Sequence, residues 1–104
     1  MSLCLYQVQK AAGRECDASK RENWIDRDTL VWLVEKSFPE SIAYDREMLA
    51  QCEARQQRIE AGEIEYQKGS TLSSIAYHKL QIEKRERKIV KYRGIIALIA
   101  MGGI

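Results

Sequence analysis

Four isoleucines, Ile75, Ile82, Ile89 and Ile96, fall seven residues apart in the last third of the chain. A row at that interval drifts only slowly around an α-helix and faces a neighbouring helix. It predicts a long helix over about 71–101. The companion positions Leu72, Lys79, Glu86 and Arg93 are mostly charged, which argues against a clean leucine zipper. Upstream, Ile42, Leu49, Cys52, Ile59 and Tyr66 trace a second narrow seam, interrupted by Asp45, Gln56 and Glu63. This predicts another long helix over about 39–67, with Gly62 as a weak point worth roughly 1 kcal/mol relative to Ala. Gly69 is a natural stop, and Ser70 or Thr71 a natural N-cap.

Two such helices joined near 68–70 form an antiparallel hairpin with an imperfect seam. Its length is roughly 43 Å, and residues whose numbers sum to roughly 138 face each other. Leu49 then lies opposite Ile89, Ile42 opposite Ile96, and Asp45 opposite Arg93.

A short apolar helix is predicted over about 28–38, around Leu30-Val31-Trp32-Leu33-Val34. Asp26 suits its N-cap, because a carboxylate there accepts an orphan backbone N–H. Asp28 suits the positive end of the helix dipole. Pro39 predicts a break and a restart. Residues 3–9 fit neither a strand nor a helix period, and 12–23 read as a polar connector; together, 1–23 form an N-terminal arm. The fold class is all-α, a single helical domain over 1–104 with 24–38 as first helix and 39–101 as hairpin.

The chain then poses a contrast. Residues 79–93 hold seven basic and two acidic side chains, while 94–104 hold no charge at all. An apolar tail enters a membrane, docks on a partner or folds back. Eleven residues are too short to span, since about twenty are needed, and attachment at a membrane interface remains an alternative reading. In the hairpin, however, the tail returns to the start of the second helix. Segments apolar on every side have to be buried. The tail and the first helix are therefore predicted to bury each other, in an apolar head of Leu30, Leu33, Val34, Phe38, Ile95, Leu98 and Ile99.

Composition agrees with few, long elements: 31% charged residues, one Pro and six Gly. The net charge is only +2. Cys4, Cys16 and Cys52 are widely spaced and His78 is the sole histidine, so no zinc-ligand pairing is evident. The thiols are expected to be reduced in a cytoplasmic protein. No cofactor, metal or catalytic constellation is expected, and the chain does not read as an enzyme. Lys84, Arg87, Lys88 and Lys91 form a basic stripe suited to an anionic partner such as nucleic acid, although a solvated helix face looks the same. The sequence therefore points to a non-enzymatic protein that binds protein, as an assembly subunit, adaptor or inhibitor, through its hairpin surface. A small chain with this much apolar surface is expected to form a homodimer.

Overall fold

The computed structural model describes residues 2–64 and 70–102. It is helical, and among the described residues no strand forms; Cys4 and Asp26 make only an isolated bridge. Four α-helices follow in order: α1 (Leu5–Ala11), α2 (Arg27–Trp32), α3 (Phe38–Glu60) and α4 (Ser70–Gly102). A 3-10 turn occupies Arg21–Trp24, and a π-helical turn Leu33–Ser37 joins α2 to α3.

The chain ends of α1 and α3 are set by glycine. Gly13 and Gly62 both have positive φ, 71° and 74°. After α1, Gly13 N–H bonds to Lys10 O and Arg14 N–H to Gln9 O; after α3, Gly62 N–H bonds to Ile59 O and Glu63 N–H to Arg58 O. Both are Schellman caps, which need a left-handed residue just past the helix. The second helix therefore stops at Glu60 and does not continue toward 67 as the seam suggested. The predicted turn at Gly69 lies outside the described residues.

Pro39 does not break the chain into two helices. Backbone angles stay right-handed helical through Leu33 and Phe38. Phe38 N–H reaches back five residues to Leu33 O. A proline removes one helical N–H and crowds the carbonyl four residues earlier. Widening the turn to a π geometry relieves that crowding without ending the helix. Asp26 caps α2 as expected, its carboxylate accepting Thr29 N–H at 3.3 Å and the Thr29 hydroxyl at 2.5 Å.

Contacts divide the chain into two compact units, one of residues 1–39 with 87–104 and one of residues 40–86. The first, the head, has a core of Leu5, Val8, Leu30, Ile95 and Ile99. Leu30 has no exposed surface. Cys16, Ile25, Tyr92 and Ile96 pack around it, and the Phe38 and Tyr92 rings sit 5.8 Å apart. The apolar tail thus folds back inside the head. Val34 is buried as well, but Leu33 and Phe38 are only half-buried and Leu98 is exposed. Their places are taken by Leu5 and Val8 of α1, which presents one apolar face from a segment whose sequence favoured neither period.

The second unit is the antiparallel hairpin of α3 against α4. Its observed register differs from the expected one. Asp45 pairs with Arg85 rather than Arg93, and Arg46 with Glu86 at 2.8 Å. With His78 also on Asp45, these pairs bring α3 opposite an earlier stretch of α4 than expected, in line with the stop of α3 at Glu60. In this unit Ile42 is buried and Leu49, Cys52, Ile59, Ile75 and Ile82 are half-buried; Ile89 and Ile96, also half-buried, belong to the head, and Tyr66 lies outside the described residues.

Candidate functional site

The companion row to the isoleucines is not Leu72, Lys79, Glu86 and Arg93, all of which are exposed. It is Thr71, His78, Arg85 and Tyr92, each buried or half-buried. This row also repeats every seven residues. It lies three residues C-terminal to Ile75, Ile82 and Ile89 where the rejected row lies four, so both satisfy helical adjacency and only the inward-facing side chains decide between them.

His78 and Arg85 converge on one residue of α3. Asp45 Oδ1 is 2.9 Å from His78 Nδ1, and Asp45 Oδ2 is contacted by Arg85 Nη1. The Asp45 side chain is 5% exposed, that of His78 12% and that of Arg85 29%. A carboxylate this deeply enclosed is tolerable only because both its oxygens are satisfied. Tyr77 packs edge-on against the His78 ring at 5.3 Å. Read as a polar interruption of the seam, Asp45 is instead its anchor. The signal was present in the sequence: an acidic residue in one seam, and a His and an Arg seven apart in the other.

Two shallow depressions, one lined by Gln51, Ala54, Arg55, Arg58 and Ile64 and the other by Lys10, Glu15, Cys16 and Asp17, reach neither Asp45 nor His78. Among the described residues no group of three or more His, Cys, Asp or Glu is arranged to hold a metal ion. The Asp45 cluster has the geometry of a register lock: it satisfies charge inside the hairpin at one alignment of α3 on α4.

The basic stripe lies along α4 with Lys84, Arg87, Lys88 and Lys91 all exposed. Its members are not equivalent. Lys91 Nζ lies 2.5 Å from Glu22 Oε1. The Lys91 ammonium, donating to that carboxylate, pulls the Glu22 carboxyl below its usual range, and Glu22 in turn raises Lys91. Lys91 therefore ties the 3-10 turn to α4 within the head. Arg85, adjacent in sequence to the stripe, points inward to Asp45.

No protein-family model, curated protein or solved structure matches this chain. No described helix is long and apolar enough to cross a membrane.

Proposed function

We propose that this chain is a non-enzymatic protein-binding protein whose hairpin is completed by a second copy of itself. One observation carries the reading. Among the described residues of the hairpin unit, Ile42 is the only buried apolar side chain, whereas Tyr44, Leu72, Tyr77 and Leu80 are exposed. Two helices sharing so small an interior gain little from burial, since each fully buried Leu or Ile contributes about 1.5–3 kcal/mol.

Leu72, Ala76 and Leu80 follow one another at i, i+4 and i+8 on α4, a continuous apolar strip. Laying two hairpins together covers such a strip and builds a four-helix arrangement. A two-fold axis makes the same patch serve both partners. The Asp45 lock supports this role, because an oligomer needs its hairpin presented in one register.

Sedimentation of the full chain at micromolar concentration tests the proposal. The expected species has twice the 12.0 kDa chain mass. A Leu72→Glu, Leu80→Glu variant should sediment as a folded monomer. A parent that is monomeric throughout, or a variant that remains dimeric, overturns the reading.

A further inference from the structure

The head unit carries ten Lys and Arg against six Asp and Glu, a net +4, while the hairpin unit carries seven against nine, a net −2. Positive charge alone makes a solvated surface. The head differs because an ordered aromatic stack is set into it.

The Tyr6 and Trp24 rings lie 3.9 Å apart and 23° from parallel. Lys10 Nζ sits 5.7 Å from the centre of the Tyr6 ring. The indole N–H of Trp24 donates to Ala18 O at 2.9 Å. That bond fixes the ring's orientation and satisfies its polar edge. Even so, Trp24 remains 50% exposed. What it shows to water is therefore apolar ring surface, held in place from behind and from one edge.

Basic residues adjoin this ring in sequence and on the helix that its turn contacts. Arg21 opens the turn that ends in Trp24, Lys20 immediately precedes that turn, and both are exposed. The Glu22–Lys91 contact brings that turn against α4 at the segment that also bears Lys88. It also neutralises Glu22, while Asp26, equally close to Trp24 in sequence, is engaged in capping α2.

We propose that this surface of the head binds single-stranded nucleic acid, with one base stacking on Trp24 and Lys10, Lys20, Arg21 and Lys88 taking adjoining phosphates. A fixed aromatic ring among cations is the arrangement that accepts an unpaired base, because every base offers a π face and every nucleotide a phosphate. A duplex hides those faces in its own stack, so single strands are preferred. An exposed Trp also suits a membrane interface or a protein partner, so the experiment sets anionic vesicles beside oligonucleotides. The inference concerns the head and is independent of the hairpin's self-association.

The experiment uses the full chain with Trp32→Phe, so that Trp24 is the only indole. It is titrated with oligo(dT) and oligo(U) of about twenty nucleotides, long enough for one site. Quenching of Trp24 emission is expected, with affinity falling as salt rises by a slope of about 0.7 per phosphate contacted. In the parent background, followed by anisotropy of labelled oligonucleotide, Trp24→Ala should weaken binding on the order of tenfold or more, and Trp24→Phe should restore most of it. If Trp24→Ala fails to fold by circular dichroism, a Lys20→Gln, Arg21→Gln variant serves, with weaker binding and a shallower salt slope expected. No quenching at low salt, equal binding by folded Trp24→Ala, unchanged affinity and slope in the Lys20→Gln, Arg21→Gln variant, or binding to anionic vesicles with none to oligonucleotides, overturns the proposal.

Discussion

Asp45 on α3 and His78 on α4 meet at 2.9 Å although thirty-three residues separate them, and both side chains are nearly excluded from water. Arg85 reaches the other carboxylate oxygen. Exchanging Asp45 for Ala should leave Arg85 and His78 facing an uncompensated site. Breaking a buried ion pair costs about 3–5 kcal/mol, and the partial exposure of Arg85 places the expected loss at about 2–3 kcal/mol. Urea unfolding of Asp45→Ala measures it. A triple variant with Leu at 45, 78 and 85 should recover much of the stability, since well-packed apolar replacements often match a buried ion cluster. The triple variant should also loosen the register, seen as broadened NMR signals for α3 and α4.

Gly62 should resist replacement for a different reason. Its φ of 74° is left-handed, and nothing lies near the position of an added Cβ. The cost of Gly62→Ala is therefore conformational rather than steric, about 1 kcal/mol. Gly13 has the same geometry at the end of α1 and should respond alike. Gly94→Ala is the control: it sits in α4 with open space around it, and should be neutral or gain up to about 1 kcal/mol. Thermal melting of the three single variants compares them directly.

The Glu22–Lys91 pair makes stability depend on pH at both ends of the scale. Glu22 is held below its ordinary value of 4.5 by the Lys91 ammonium. Its contribution is fully present above that ordinary value and is lost as pH falls through the lower, folded-state value. Lys91 is raised above 10.5 by Glu22. Its contribution is present below 10.5 and is lost as pH rises through the higher folded-state value. Glu22→Gln should therefore be less stable than the parent near neutrality, and the two curves should converge in strong acid. Parallel urea melts from neutral pH downward check this, and added salt should shrink the difference because Lys91 is exposed.

Long-period patterns were legible in the sequence, and their relative alignment was not. The isoleucine row identified α4 as one long helix, and the Gly69 stop with Ser70 or Thr71 as N-cap placed its start to within a residue. The burial of Ile95 and Ile99 followed from a tail with no polar side on which to face water. Alignment was set by local chemistry that periodicity does not weigh. The positive φ of Gly62 ended α3 early and moved the register, which took Asp45 away from Arg93 and gave it Arg85 and His78. Proline was over-read: a π turn absorbed Pro39, and nothing in its immediate neighbours distinguishes that outcome from a break. The aromatic stack of Tyr6 on Trp24 joins two segments without a common period, so only the folded chain brings it together.

The tail provides the sharpest division between a head that needs residues 95–102 and one that does not. Ile95 and Ile99 are buried against Leu5, Val8 and Leu30. Removing a buried Ile side chain down to Ala costs about 2–5 kcal/mol through lost transfer energy and the cavity left behind. Ile95→Ala and Ile99→Ala together should consume most of the 5–15 kcal/mol typical of a domain. Deleting the chain after Gly94 goes further, opening the core along one whole side. The truncated protein should unfold or aggregate, and the double variant should melt well below the parent. Leu98→Ala is the internal comparison. Leu98 lies between the two buried isoleucines but is 42% exposed, so its loss should cost under about 1 kcal/mol. If the tail served chiefly as a membrane foot, the truncation would stay folded and lose only its affinity for anionic vesicles. Melting and vesicle co-sedimentation on these three variants, with the parent beside them, separate these outcomes.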